Sequence, residues 1–257
     1  MKVAISGKGG VGKSTIAAAI SIILARQNHK VLAVDADPDA NLASALGITS
    51  TEQKNIIPIS KQIKLIEERT GAKIGQYGQV FKLNPEVADV ADNYAYEKDG
   101  VSLLVLGAVE KGGSGCACPE NIFIRSLITD LVLYKDESLI MDMEAGVEHL
   151  GRATTSGVDL MLIVVEPGQR SIECAERVIR MSAEIGIKKV CVVGNKVRNS
   201  DDEEFIKNAL KGTEVLAFIP SSDNILTADR DGVSVLDKLN DDENKIFEEL
   251  VDKINEL

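Results

Sequence analysis

Short apolar runs alternate with longer amphipathic segments along the chain. The runs have the length of buried strands and lie at residues 3–5, 31–34, 101–107, 138–146, 159–167, 189–194 and 215–219. Between them the sequence predicts helices at residues 16–25, 63–69, 119–134 and 171–185, the last with Ser171 as its N-cap. Because strands alternate with helices, we expect an α/β fold. Its core should be a single doubly wound, mostly parallel sheet with helices on both faces.

Residues 49–100 differ from the rest of the chain because they carry few strand signals. They contain the predicted helix at 63–69 and a loop-like stretch at 71–78. The sequence shows no internal repeat and no linker composition. We therefore expect residues 1–257 to form one domain, with a lid-like insertion at about 49–100.

Composition and charge narrow the possible functions. Apolar residues make up 44% of the chain and aromatic residues only 4%, which indicates an aliphatic core of the kind found around parallel sheets. The net charge of −11 argues against general binding to nucleic acid or to anionic membranes. No apolar run reaches membrane length, and the N-terminal run is too short for a signal peptide, so we expect a cytoplasmic protein.

The segment from Gly7 to Thr15 reads GKGGVGKST and stands between the first predicted strand and the first predicted helix. Strand, glycine-rich loop and helix together form a P-loop, in which backbone N–H groups surround a phosphate at a helix N-terminus. Lys13 is expected to reach the β- and γ-phosphates, and the Ser14 hydroxyl to bind Mg²⁺. The groups predicted to hold ATP or ADP here belong to Gly9, Gly10, Val11, Gly12, Lys13, Ser14 and Thr15.

Lys8 is an addition that an ordinary P-loop does not require. With it, the loop resembles the deviant Walker A motif of the superfamily that contains MinD, ParA and the nitrogenase iron protein. The resemblance implies a homodimer in which Lys8 crosses the interface and contacts the partner's nucleotide during catalysis. A cation supplied in this way would stabilise charge that develops on the phosphates. The alternative is that Lys8 is a solvated loop residue.

Acidic residues follow two of the predicted strands. By the same resemblance, Asp37 would orient the attacking water and Asp35 would lie near the Mg²⁺ ion, whereas the alternative is a turn or a helix cap. Asp142 resembles the aspartate of a Walker B motif and would hold Mg²⁺, through water. Glu144 and Glu148 are expected to be solvated loop residues, and His149 a surface or partly packed side chain.

The sequence also indicates which base the site prefers. Asn195 and Lys196 follow a predicted strand, but the position two residues after the lysine is Arg198, which cannot accept the hydrogen bonds that guanine donates. ATP is therefore favoured over GTP. By family resemblance Asn195 would contact adenine, with a helix-capping role as the alternative. The remaining predicted base contacts are Lys196, Pro220, Ser221 and Asp223.

Two of the four cysteines lie close together, at Cys116 and Cys118, directly before Pro119. Pro119 suits the first position of a helix, which makes Cys118 the predicted N-cap, where a thiolate is stabilised. Two thiolates do not complete a soft metal site, but a two-fold dimer would supply four. Zn²⁺, Ni²⁺, Cu⁺ or an iron–sulfur cluster would suit such ligands, whereas the alternative is a pair of buried or incidental cysteines. Cys174 and Cys191 are expected to be inert core residues.

With the cysteine loop GCACPEN and the segment MDMEAGVEHL added, the chain resembles the CooC-type accessory ATPases of nickel enzymes over nearly its whole length. The resemblance implies an ATP-dependent dimer that binds Ni²⁺ or Zn²⁺ through Cys116 and Cys118. It further implies a nickel-enzyme client, either carbon monoxide dehydrogenase or acetyl-CoA synthase, which the motifs do not distinguish.

Two other functions stay open from the sequence. One is a positioning ATPase of the MinD or ParA kind, although the acidic residues at 241–257 would be repelled by anionic lipid. The apolar residues Phe247, Leu250, Val251 and Ile254 instead form a stripe that is expected to pack on the domain. The other is an electron-transfer ATPase like the nitrogenase iron protein, although residues 142–152 contain no cysteine.

Overall fold

The computed structural model describes residues 1–76, 78–108, 118–146 and 157–257. The strands in these ranges are β1 (Lys2–Gly7), β2 (Val31–Asp35), β3 (Tyr96–Lys98), β4 (Val101–Val105), β5 (Ser138–Asp142), β6 (Leu160–Val165), β7 (Val190–Val197) and β8 (Glu214–Pro220). They form one sheet of eight strands in the order β3-β4-β2-β5-β1-β6-β7-β8. Each neighbouring pair is parallel except β3 with β4. The predicted α/β fold with a mostly parallel sheet is confirmed.

Helices cover both faces of this sheet. They are α1 (Lys13–Arg26), α2 (Leu42–Ala45), α3 (Ile63–Thr70), α4 (Val90–Tyr94), α5 (Pro119–Tyr134), α6 (Gln169–Ile185), α7 (Ser200–Ala209), α8 (Asp223–Asp231) and α9 (Asp241–Asn255). Successive residues of the central strands point to opposite faces, and both sets are apolar because both faces are covered. In β6, for example, Met161 and Ile163 pack with α5 and α6, whereas Leu160 and Leu162 pack with α1 and α9.

The region at 49–100 lies between β2 and β4, and part of it is packed into the core. Ile59, Ile66 and Val90 are buried against the face that carries α5. The same region supplies β3, a short antiparallel edge strand that the sequence did not predict. Its three residues, only partly buried, lack the apolar run that made the other strands recognisable.

Two local predictions are wrong. Helix α6 begins at Gln169 with Gly168 as its N-cap, so Ser171 lies inside the helix. The Ser171 hydroxyl instead accepts a hydrogen bond from the Glu166 backbone N–H at 3.0 Å. Strand β7 continues past residue 194, because a register irregularity lets Asn195 and Lys196 stay within it.

The C-terminal segment forms α9, whose apolar stripe packs against β8 and α1 as predicted. Phe247, Leu250, Val251 and Ile254 are all buried in that contact. Within the described ranges, no helix has both the length and the apolar character that crossing a bilayer requires.

Candidate functional site

The glycine-rich loop joins β1 to α1 at the carboxyl edge of the sheet, where ligands bind in open α/β folds. Gly12 caps α1 with φ 99° in the left-handed region. A Cβ atom at Gly12 would lie 2.3 Å from the Asn195 side-chain nitrogen, so that only glycine fits both the backbone angle and the space. The first residues of α1, Lys13 to Thr15, line a cavity at this edge, and the unpaired N–H groups of a helix N-terminus are suited to bind an anion there.

Lys13 points across this edge, and its side chain is only 6% exposed. Its Nζ atom lies 3.6 Å from the Asp37 Oδ2 atom, on the loop that follows β2. The structure thus brings together the lysine expected to hold phosphate and the aspartate expected to orient water. A buried ammonium with one loose carboxylate partner is well suited to bind a stronger anion such as a triphosphate.

Asp35 and Asp142 end the adjacent strands β2 and β5 and stand directly opposite each other in the sheet. Both side chains are fully buried. Burial raises the pKa of Asp35 to about 6, although its oxygens accept bonds from the backbone N–H groups of Leu42 and Asp37. Burial raises the pKa of Asp142 to about 7, partly offset by the nearby Ser14 hydroxyl and Lys13.

The two Asp142 oxygens are buried, and neither makes a hydrogen bond of acceptable geometry to a described residue. A buried carboxylate without partners, beside the Ser14 hydroxyl, has the chemistry of a Mg²⁺ site. The described ranges contain no set of three or more His, Cys, Asp or Glu side chains arranged around a metal. That fits Mg²⁺ in nucleotide sites, where phosphate oxygens and waters provide most of the ligands.

A cavity of about 720 Å³ extends from this edge toward the loop after β8, which is ample for a nucleotide. Its phosphate end is lined by the glycine-rich loop, Lys13 and Asp37, and its far end by Asn195, Pro220 and Leu226. The lining residues that the sequence analysis assigned to the nucleotide site are Gly9, Gly10, Gly12, Lys13, Ser14, Thr15, Asp37, Asn195, Lys196, Pro220 and Ser221, and Glu144, expected to be a solvated loop residue, also lines it. Asp223 does not line the cavity; it begins α8 and is exposed.

Asn195 and Lys196 contact the glycine-rich loop directly. The Asn195 side-chain amide donates to the Val11 carbonyl at 2.7 Å, and Lys196 Nζ donates to the Gly10 carbonyl at 2.6 Å. Asn195 caps no helix; the cap of α7 is Asn199, which accepts from the Asp202 backbone N–H. The strand end of β7 therefore fixes the position of the loop as well as lining the cavity.

Lys8, in the glycine-rich loop, forms an ion pair with Glu166, the residue directly after β6. The distance from Lys8 Nζ to Glu166 Oε1 is 2.9 Å, and the second carboxylate oxygen lies 3.7 Å from Lys196 Nζ. Lys8 is thus not a freely solvated lysine, the alternative that the sequence left open. The sequence analysis did not single out Glu166, because the partners of its side chain, Lys8 and Lys196, lie far away along the chain.

Ser6 is a second residue that the sequence did not reveal. Its buried hydroxyl accepts from the Gly146 N–H at 3.1 Å and lies 3.0 Å from the carbonyl oxygens of both Glu144 and Gly146. A hydroxyl has one proton and can donate to only one of these carbonyls at a time. Ser6 therefore connects β1 to the loop after Asp142, where Glu144 is exposed as predicted.

Cys118 is the N-cap of α5, as the sequence predicted, and it is half-buried. Cys116, Glu148 and His149 lie outside the described residues. Of the other cysteines, Cys191 is buried in β7, and burial raises the pKa of its thiol to about 11, which fits an inert core residue. Cys174 is only partly buried on α6.

The sheet, the glycine-rich loop and the buried lysine and aspartates together define a P-loop ATPase. The chain belongs to the family of CobQ/CobB/MinD/ParA nucleotide-binding domains, whose pattern matches residues 2–235. Its cofactors are accordingly ATP or ADP with Mg²⁺.

Individual relatives agree with this assignment. The carbon monoxide dehydrogenase accessory protein CooC of Rhodospirillum rubrum is 42% identical over 92% of this chain and 90% of its own. An uncharacterized ATP-binding protein of Methanocaldococcus jannaschii is 45% identical over 89% and 88%. The MinC:MinD cell division complex of Aquifex aeolicus gives a TM-score of 0.71, with 21% identity over 99% and 95% of the two chains. The resemblance to the superfamily and to CooC-type ATPases is thus confirmed.

Proposed function

We propose that this ATPase is a metallochaperone that inserts nickel into carbon monoxide dehydrogenase or acetyl-CoA synthase. In this proposal ATP joins two chains, and the paired cysteines of both hold one Ni²⁺ or Zn²⁺ ion as cargo. The protein would act in the cytoplasm as a homodimer, without binding nucleic acid or membrane. The observation that carries the proposal is the 42% identity to CooC in a chain that also has the cysteine pair.

The phosphate end has the groups that ATP hydrolysis requires. The α1 N–H groups and Lys13 would hold the phosphates, while Mg²⁺, bound by Ser14 and through water by Asp142, would supply positive charge to them. Asp37 would accept a hydrogen bond from the attacking water, and Asp35 would stay close to the metal's water shell. Attack of that water breaks the bond to the γ-phosphate and leaves ADP and phosphate.

At the other end of the cavity, Asn195 would face the adenine from one side. Lys196, Pro220 and Ser221 would help to hold the base or ribose, whereas Asp223, which begins α8 outside the cavity lining, has no part in this contact. Arg198 offers no acceptor to guanine, which supports ATP over GTP. Lys8 has no part in this base contact. In the proposal it would contact the nucleotide bound by the partner subunit.

The cargo site follows from the number of ligands. A tetrahedral or square-planar ion needs four ligands, and one chain offers Cys116 and Cys118. Cys118 begins α5, and a helix N-terminus stabilises the thiolate form that binds metal. The cysteine pair is incomplete in one chain, and Lys8 belongs to a motif that acts across a dimer in the resembled superfamily, so the two features independently favour a dimer.

The test is metal binding by a variant that carries Cys116→Ser and Cys118→Ser. Calorimetric titration with Ni²⁺ in the presence of a non-hydrolysable ATP analogue should show loss of the tight site, with nucleotide affinity unchanged. The matched control is Cys174→Ser, which removes a thiol from α6 and should leave Ni²⁺ binding intact. Unchanged Ni²⁺ affinity in the double variant would refute the cargo site.

A positioning function of the MinD or ParA kind gains no support from the described residues. Such a function with membrane contact would need an apolar helix face free to meet lipid. The apolar stripe of α9 is instead buried against β8 and α1. Binding of the ATP-loaded protein to anionic vesicles or to DNA would favour a positioning ATPase over a metallochaperone.

A further inference from the structure

Glu166 is held by three separate contacts, and only one of them involves Lys8. Its backbone N–H donates to the buried Ser171 hydroxyl, and its Oε2 atom lies 3.7 Å from Lys196 Nζ. Lys196 is in turn bonded to the Gly10 carbonyl of the glycine-rich loop. The Glu166 backbone is therefore anchored between β6 and α6, and Lys196 on β7 is a second cationic partner for its carboxylate.

The third contact is the ion pair with Lys8, at 2.9 Å, in which the two side chains are 38% and 27% exposed. A lysine cannot keep this pair and also reach a phosphate of another subunit, because Glu166 is anchored and cannot travel with it. If Glu166 stayed beside Lys8, its negative charge would also repel the partner's polyphosphate. The pair must therefore open before Lys8 can act across an interface.

We propose that Glu166 is a positioning residue that holds Lys8 back in the single chain and releases it to the nucleotide of a partner subunit. This inference rests on the proposed function, which assigns Lys8 its role across the dimer. The exchange favours ATP, because a triphosphate carries more negative charge than the one carboxylate that Lys8 leaves. The strength of the Lys8–Glu166 pair thus sets how strongly Lys8 must bind the partner's nucleotide before two chains associate.

The experiment measures dimerisation by analytical ultracentrifugation with a non-hydrolysable ATP analogue. Glu166→Gln keeps the size of the side chain but removes its charge. Each subunit of the dimer loses one partly exposed ion pair, worth about 1.5- to fivefold, so the dimer dissociation constant should fall about two- to 25-fold. Hydrolysis at saturating protein concentration should stay within about twofold of the parent, because Glu166 does not contact the reacting atoms. A change confined to the dissociation constant is one that a general loss of structure would not produce.

Two further variants separate the ion pair from simple loss of negative charge. Glu166→Asp keeps the charge but shortens the side chain by one methylene, so it should also tighten the dimer, though less than Glu166→Gln. Glu214→Gln removes a carboxylate of similar kind, paired with Lys189 at the opposite edge of the sheet, and should change nothing. An unchanged or weaker dimer in Glu166→Gln, or a gain in Glu166→Gln with none in Glu166→Asp, would overturn the inference.

The same measurements keep this inference distinct from the proposed function. If Lys8→Ala dimerises and hydrolyses ATP normally, the role of Lys8 across the interface is wrong, whatever Glu166 does. If Lys8→Ala loses both properties while the Glu166 variants match the parent, only the inference about Glu166 fails.

Discussion

The phosphate end of the cavity is built from buried charged groups, whereas the base end combines the buried, uncharged Asn195 with exposed side chains such as Pro220 and Leu226. Lys13 and Asp142 are 6% and 0% exposed, but Leu226 at the base end is 65% exposed. A buried charge that lacks an opposite charge or hydrogen bonds destabilises the fold. Such charges are therefore found mainly at sites where a bound ligand supplies the missing partner. The base end needs only a flat contact that water can also reach. The two ends should therefore respond very differently to substitution.

The largest effect is expected from Lys13→Ala. Removing the ammonium leaves developing phosphate charge without its buried partner, and hydrolysis should fall by about 10²–10³-fold. Steady-state phosphate release at saturating ATP measures this. Lys207→Ala, on the exposed face of α7, is the control and should hydrolyse ATP at the parent rate. Activity of Lys13→Ala near the control would contradict the assignment of the phosphate end.

Asp142→Asn should lower activity and yet stabilise the nucleotide-free protein. The pKa of Asp142 is about 7 in the fold and about 3.9 when unfolded, so ionisation in the fold is disfavoured. The cost of the buried charge grows as pH rises from about 4 through 7, and the variant lacks it. The melting temperature measured in EDTA should therefore exceed that of the parent by a few degrees at pH 8.

The same comparison at pH 5 checks the sign of this effect. There the parent carboxyl is mostly protonated, and the difference in melting temperature should be much smaller. Asp252→Asn, an exposed carboxylate of α9, is the control and should show no such dependence. A variant that is equally or less stable than the parent at pH 8 would contradict the account of a buried, uncompensated charge.

Ser6→Ala should have an intermediate effect. It leaves the buried Gly146 N–H without its acceptor and frees the loop after Asp142 from β1, so we expect turnover to fall about tenfold. Ser21→Ala removes a hydroxyl that is equally buried but bonds within α1, to the Ala17 carbonyl. Equal turnover in these two variants would mean that the loop does not need Ser6.

The smallest effect is expected at the base end. Leu226→Ala removes an exposed apolar side chain that lines the cavity, so KM for ATP should rise about two- to fivefold with kcat unchanged. Leu83→Ala, exposed at 68% in the region 49–100, is the matched control. A loss of kcat in Leu226→Ala would show that the two ends are not independent.

The sequence predicted best where short-range pattern decides structure. The loop between β1 and α1 and the bounds of α5, Pro119–Tyr134, follow from glycines, apolar periodicity and one proline. The sequence also placed Asp35 and Asp142 at strand ends, but that they stand opposite each other depends on the strand order, which it did not predict.

What the sequence missed depends on contacts between distant positions. Lys8 and Glu166 are 158 residues apart, and Ser6 and Gly146 are 140 apart. No local pattern marks either contact, because each partner alone resembles an ordinary surface or core residue. Edge strand β3 was missed for a related reason, since its neighbour β4, rather than its own sequence, makes it a strand.

The most direct test of the central claim combines metal analysis with mass determination. Protein loaded with Ni²⁺ or Zn²⁺ is passed through a sizing column with light scattering, once with ADP and once with a non-hydrolysable ATP analogue. The account predicts a dimer with the ATP analogue that carries about one tightly held metal ion for every two chains, and single chains that hold metal weakly. Single chains that retain the metal equally well, or an ATP-bound dimer that retains none, would contradict it.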